Sequence, residues 1–234
     1  MKKKQLFLSI LMIGLLAVNT VFAEGEERSV PSFAEVSLRI SGNLYLTQGE
    51  KQSVKIVAKQ SVLDQLITEV RGRSLVVRFK TNNIFKQNFQ AGKIEIFVTV
   101  PEINALSVSG SGDIVADQKI KSRILDLAVS GSGDILLKKL DSERVKAAVS
   151  GSGDITIGNG STNDLSVTIS GSGNMRAERF EAENVEAAIA GSGNCVVNAS
   201  QKLKARIAGS GNVKYAGNPQ IDTSVLGSGT VTKL

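Results

Sequence analysis

The sequence predicts an all-β chain, a right-handed parallel β-helix (solenoid) with coils of about 20 residues. Three observations carry that expectation. Gly-Ser-Gly occurs seven times, starting at Gly110, Gly131, Gly151, Gly171, Gly191, Gly209 and Gly227. The starts lie 21, 20, 20, 20, 18 and 18 residues apart, a period typical of stacked repeats. Apolar residues also alternate with others on both sides of each copy, which is strand periodicity.

The alternation upstream runs through Leu125, Leu127 and Val129, then Val145, Ala147 and Val149, then Leu165, Val167 and Ile169. Val185, Ala187 and Ile189 continue it, followed by Leu203, Ala205 and Ile207. Downstream stand Ile114 and Ala116, Ile135 and Leu137, Ile155 and Ile157, Met175 and Ala177, and Val213 and Tyr215. Each unit therefore reads as strand, glycine-rich corner, strand and polar return, with a further apolar position at Ile120, Leu140 and Phe180. An antiparallel β meander is the alternative, each Gly-Ser-Gly then being a hairpin turn. Stacked coils explain more. They place like residues about 4.8 Å apart, and units too small to fold alone bury one another.

The organisation follows from the N-terminus onward. Residues 1–23 read as a signal peptide: Lys2, Lys3 and Lys4, an apolar run from Leu6 to Val18, and a small-residue site giving cleavage after Ala23. The run is short of the roughly 20 apolar residues of a membrane span. Residues 24–31 read as a short linker. Residues 32–100 read as a β-rich N-terminal segment closing the solenoid, with alternation at Val36, Leu38 and Ile40 and at Ile94, Ile96 and Val98. Ser41-Gly42-Asn43 reads as a degenerate corner, and Ser61–Asp64 as a single helical turn. Residues 101–234 form the repeat β-helix, continuous with 32–100.

Composition excludes several functions. The formal charge of +6 falls to +3 once Lys2, Lys3 and Lys4 leave with the signal, so no concentrated basic face marks a nucleic-acid reader. Histidine is absent, which removes the usual general base and the commonest metal ligand. Cys195 is the only cysteine, so no intramolecular disulfide forms. It aligns with Ile114, Ile135, Ile155, Met175 and Val213 and reads as a small core residue rather than a reactive thiol.

The signal peptide, the Leu75-Val76-Val77 and Ile94-Glu95-Ile96 strands, and coils of the form Ser109-Gly110-Ser111-Gly112-Asp113-Ile114 together resemble a bacterial family. It is the putative auto-transporter adhesin, head GIN domain family, typical of Bacteroidetes. The resemblance covers roughly Phe33 to Leu234 and implies a β-helical exported domain with no catalytic residues to carry over. No downstream membrane barrel is expected, so the resemblance extends to a display domain and not to self-secretion.

Two groups of residues are candidate sites. The residue after each Gly-Ser-Gly is Asp113, Asp134, Asp154, Asn174, Asn194, Asn212 and Thr230 in turn. Stacking sets three carboxylates in a row, which repel unless screened by a cation such as calcium. The plainer reading is that Asp and Asn bond the backbone at each corner. Ile84, Phe85 and Phe89 form the second group, an apolar interaction patch among amides, or alternatively a flap over the solenoid core.

The function these features predict is a non-enzymatic exported β-helix, an adhesion or cell-envelope interaction module in the periplasm or at the cell surface. Its partner is an envelope or extracellular protein or a glycan, with no nucleic acid, no integral membrane segment and no cofactor. The alternatives are a polysaccharide-processing enzyme on this scaffold and a purely structural periplasmic protein. Repeated, near-equivalent Asp sites argue against an acid–base pair, which needs two distinct environments.

Overall fold

The computed structural model describes residues 24–80 and 92–234. The cleavage point after Ala23 and the patch of Ile84, Phe85 and Phe89 lie outside the described residues. The strands are β1 (Glu24–Glu27), β2 (Glu35–Leu38), β3 (Asn43–Gln48), β4 (Ser53–Ala58), β5 (Leu66–Arg71), β6 (Ser74–Phe79) and β7 (Glu95–Val100). They continue as β8 (Ala105–Gly110), β9 (Asp113–Gly131), β10 (Ile135–Gly151), β11 (Asp154–Gly171), β12 (Asn174–Gly191) and β13 (Asn194–Gly209). The chain closes with β14 (Asn212–Ala216), β15 (Gln220–Gly227) and β16 (Thr230–Lys233). One short helix, α1 (Gln60–Leu63), lies between β4 and β5.

The architecture is a β-solenoid of about six turns with coils near 20 residues. Every pairing between successive coils from β8 to β16 is parallel, which sets the meander aside. The polar return is itself strand. β9 to β13 each run unbroken from one Gly-Ser-Gly to the next, and return residues such as Leu140 and Gly160 stay in register. Isoleucine, valine and leucine at alternate positions suit this pleat, and their stacking fills the interior with one continuous apolar cluster.

The column through Cys195 shows the stacking. Ile56, Ile96, Leu44, Ile114, Ile135, Ile155, Met175, Cys195 and Val213 succeed one another in register. All nine are completely buried. Full burial of one aliphatic side chain contributes about 1.5–3 kcal/mol, so the column is a large share of what holds the coils together.

The N-terminal segment supplies two further coils in an order that differs from the chain. β2 and β3 lie directly under β8 and β9, and β6 and β7 lie under β2 and β3. Beyond them the pairing turns antiparallel, β4 against β7 and β5 against β6. Residues 24–27, read from the sequence as linker, are instead strand β1, antiparallel to β4. The alternating spacing there is only Glu24-Gly25-Glu26-Glu27, too polar to register as a half-buried strand. Val62 and Leu63 of α1 are buried against this end of the core. Among the described residues no helix is long and apolar enough to cross a membrane.

Candidate functional site

The corner is built from its glycines. Gly131 has φ +127°, a region that L side chains avoid. Its carbonyl accepts the N–H of Ser152 at 2.9 Å and of Gly153 at 3.0 Å, so each corner is hydrogen-bonded onto the one before. At Gly133 a β-carbon would stand 2.0 Å from the Gly112 carbonyl oxygen, closer than any atom can approach. Close stacking at the corner therefore requires glycine twice, for conformation at the first position and for space at the third. Gly112 sits in the same way over Ile40 and Gly42, which makes Ser41-Gly42-Asn43 the corner of the preceding coil.

The residues that follow the corners form a hydrogen-bonded ladder along the solenoid. Asp113 Oδ1 accepts the N–H of Asp134 at 2.9 Å, and Asp134 Oδ1 accepts that of Asp154 at 2.7 Å. Asp154 Oδ1 accepts both the backbone N–H of Asn174 at 2.8 Å and its Nδ2 at 2.7 Å. From there amides relay the pattern: Asn194 Nδ2 donates to Asn174 Oδ1 and Asn212 Nδ2 to Asn194 Oδ1, both at 3.0 Å. Thr230 Oγ1 closes the run on Asn212 Oδ1 at 2.8 Å.

The change from Asp to Asn along this ladder has electrostatic consequences. Carboxylates only accept, so the acidic members repel, whereas amides donate to the neighbour below. Arg176 meets the last carboxylate, with Nη1 2.6 Å from Asp154 Oδ2. Partial burial of Asp154 opposes its charge, but hydrogen bonds from Arg176 and Asn174 outweigh that and hold its carboxyl below the ordinary range. Oδ2 of Asp154 is thereby engaged by a cation of the protein itself. Among the described residues no three of His, Cys, Asp or Glu converge to hold a metal ion. On the ladder, Asp113 and Asp134 each use Oδ1 for the next coil and, among the described residues, make no ion pair through Oδ2.

The outer face beside this ladder carries a feature that the sequence did not single out. Phe97, Tyr45, Val115, Leu136, Thr156 and Arg176 follow one another in register and point outward between buried neighbours. The Tyr45 and Phe97 rings stack at 5.2 Å with an interplanar angle of 20°. Phe97 remains 41% exposed. The first four residues make an apolar ridge, flanked by Glu95, Asn43 and Asp113 on one side and Thr99 and Thr47 on the other. Tyr45 and Phe97 are far apart in sequence, so only the coil order brings them together.

The remaining walls are of mixed charge. The column Asp126, Lys146, Ser166, Glu186, Lys204 and Asp222 alternates in sign, and Lys204 pairs with Glu186 at 2.6 Å. Arg206 grips Asp222 at 2.8 Å. A shallow groove of about 590 Å³ runs between Arg144, Lys146, Glu186 and Lys204. Cys195 is fully buried, and desolvation pushes its thiol up to about 12.

Comparison with known proteins places the chain. The family described as putative auto-transporter adhesin, head GIN domain, matches residues 32–219. A crystal structure of a putative adhesin from Bacteroides fragilis is similar at 25% identity and a TM-score of 0.84, covering 90% of this chain and 96% of that one. A putative lipid binding protein from Parabacteroides distasonis matches at 25% identity and a TM-score of 0.75, covering 92% and 98%. A putative adhesin from Parabacteroides merdae shares the fold at 20% identity and a TM-score of 0.72, covering 92% and 97%. No curated protein sequence matches the chain.

Proposed function

The chain belongs to the auto-transporter adhesin head GIN domain family, and from that premise we propose that it is a non-enzymatic, exported display domain. It presents a rigid outer wall to an envelope or extracellular protein or glycan, and weak contacts repeated along the wall add up. Export by cleavage after Ala23 delivers it to the periplasm or cell surface.

The observation that supports this reading most is how the ladder is used. Asp113, Asp134 and Asp154 each hold the backbone amide of the next coil, so these carboxylates serve the stack rather than an acid–base pair. Contact with a partner then falls to the outer surface, where exposed Phe97 and half-buried Tyr45, Val115 and Leu136 form a continuous apolar ridge of the kind that marks interaction sites.

The test is binding of purified protein to glycan and extracellular-matrix arrays, with and without Phe97→Asp and Leu136→Asp. Both changes are on the outer face and leave the core untouched. Retained folding with binding lost supports the ridge as the contact surface. Turnover of a polysaccharide during the same screen, abolished by Asp134→Asn, would replace the display reading with an enzymatic one.

A further inference from the structure

The two ends of the solenoid are unlike. At the N-terminal end α1 buries Val62 and Leu63, and the outermost strands β1 and β5 carry Glu26, Glu27, Glu69 and Arg71. Charged residues and covering elements are the usual protection of a sheet edge. At the other end β15 pairs with β13 alone, and its second edge has no partner among the described residues. Ile221 stands in register with Leu203 and Val225 with Ile207. Leu203 and Ile207 are 1% and 3% exposed, whereas Ile221 and Val225 are 44% and 41% exposed. Core columns thus run out to an open face. The single charge on β15 is Asp222, and Arg206 holds it.

We propose that a second copy of this chain pairs edge to edge with β15, antiparallel about a two-fold axis at Thr223. That register sets Ile221 opposite Val225 of the partner subunit and Val225 opposite Ile221 of the partner subunit. Thr223 faces its own copy, a favourable cross-strand pair. Asp222 falls opposite Ser224 of the partner subunit, so no like charges meet.

The strand is self-complementary about its own centre, which an isologous contact requires. A head-to-tail stack instead brings this parallel edge, whose one charge is held by Arg206, against antiparallel, charged strands and α1. It also leaves the β15 edge of the last chain in the stack open, whereas the two-fold pair hides both β15 edges. The pair carries two display walls on one rigid body, a gain in avidity for any repeated ligand. The inference stands on the edge alone and is independent of what the walls bind.

Sedimentation equilibrium and light scattering on protein purified from cells expressing the whole chain test the pairing. The expected mass is that of two chains, falling to one chain in Ile221→Lys with Val225→Lys while far-UV circular dichroism is unchanged. Thr223→Cys is expected to oxidise to a disulfide-linked pair, because the two-fold sets these positions within bridging distance. Thr232→Cys, on β16, is expected to keep the two-chain mass but to form no disulfide link under the same oxidation. Buried Cys195 does not compete. If the lysine variant fails to fold, cross-linking at position 223 decides. A single-chain mass for the parent protein, an open series of polymers, or a dimer without linkage at 223 overturns the proposal.

Discussion

Phe180 stands in register with Gly160 on one side and has no counterpart in β13 on the other. Ala177 pairs with Val197 and Glu181 with Asn198, so β13 passes this point with three fewer residues. One residue is regained where Ala182 pairs with Ala199 and Asn184 with Lys202, and the net loss of two shortens the repeat from 20 to 18. Phe180 is the largest fully buried side chain. It occupies the inner column at a point where the coils on either side bring no side chain of their own.

Phe180→Ala is therefore expected to be among the costliest single truncations in the core. Neither neighbouring coil can close the void, so the loss should sit at the upper end of the 3–5 kcal/mol typical of buried phenylalanine. Urea unfolding of the variant measures it. A loss under about 1 kcal/mol would mean that the column collapses and that the ring is not the filler inferred here.

The corner glycines offer an internal control. Gly110 and Gly131 share φ values of +129° and +127°, but a β-carbon on Gly110 meets nothing within 4 Å. On Gly131 it meets the Gly110 carbonyl oxygen at 2.4 Å. Gly110→Ala should cost about 1–2 kcal/mol from conformation alone. Gly131→Ala should cost clearly more, and Gly133→Ala, with its contact at 2.0 Å, should prevent stacking at that coil. Equal melting temperatures for the Gly110 and Gly131 variants would remove close coil approach from the explanation.

Acid should weaken the ladder at Asp154. Its carboxyl titrates below the ordinary range in the folded chain, against the opposing effect of burial, because Arg176 and Asn174 hold the ionised form. A depressed folded value means that the stabilisation is complete above the unfolded carboxylate pKa, near 3.9. It is lost as pH falls through the lower folded value. Asp154→Asn keeps the Oδ1 acceptor but gives up the charge on Arg176, a partly exposed pair worth at most about 1 kcal/mol. The melting temperatures of parent and variant should thus differ at neutral pH and converge in acid, once pH falls below the lowered folded value. A gap that widens with acid contradicts this assignment.

Cys195 should be inert in the native state. It is fully buried in an aliphatic column, and its thiol is pushed up to about 12, so almost no thiolate exists at pH 8. Reaction with a disulfide reagent should begin only as denaturant unfolds the chain, with the midpoint of the unfolding transition. Rapid stoichiometric labelling in buffer would show that the coil containing Cys195 opens locally.

Much of this fold was legible because repetition averages out local ambiguity. Seven corners and their flanking alternation put Cys195, Met175 and Val213 in one column from the sequence alone. The returns read from the sequence only as polar connections, because Lys138, Lys139, Asp141 and Ser142 hide the strand periodicity. In a parallel stack, however, their backbones pair with the coils above and below whatever the side chains are. The apolar ridge was hidden for a different reason. Tyr45 and Phe97 meet because β7 lies beneath β3 in space while following it in the chain, and no local pattern encodes that order. The acidic ladder was legible as a column, but whether each oxygen faced a cation or an amide depended on a 2.7–2.9 Å geometry.

Of the two destinations open to an exported display domain, the cell surface is the one that puts this wall before partners outside the cell, and accessibility tests that claim most directly. Intact native cells are treated with protease and the chain is followed by antibody, with a periplasmic protein as the internal control. The account predicts that the chain is degraded while the control survives. Full protection of the chain, with degradation only after the outer membrane is permeabilised, would contradict surface display and confine its contacts to the periplasm.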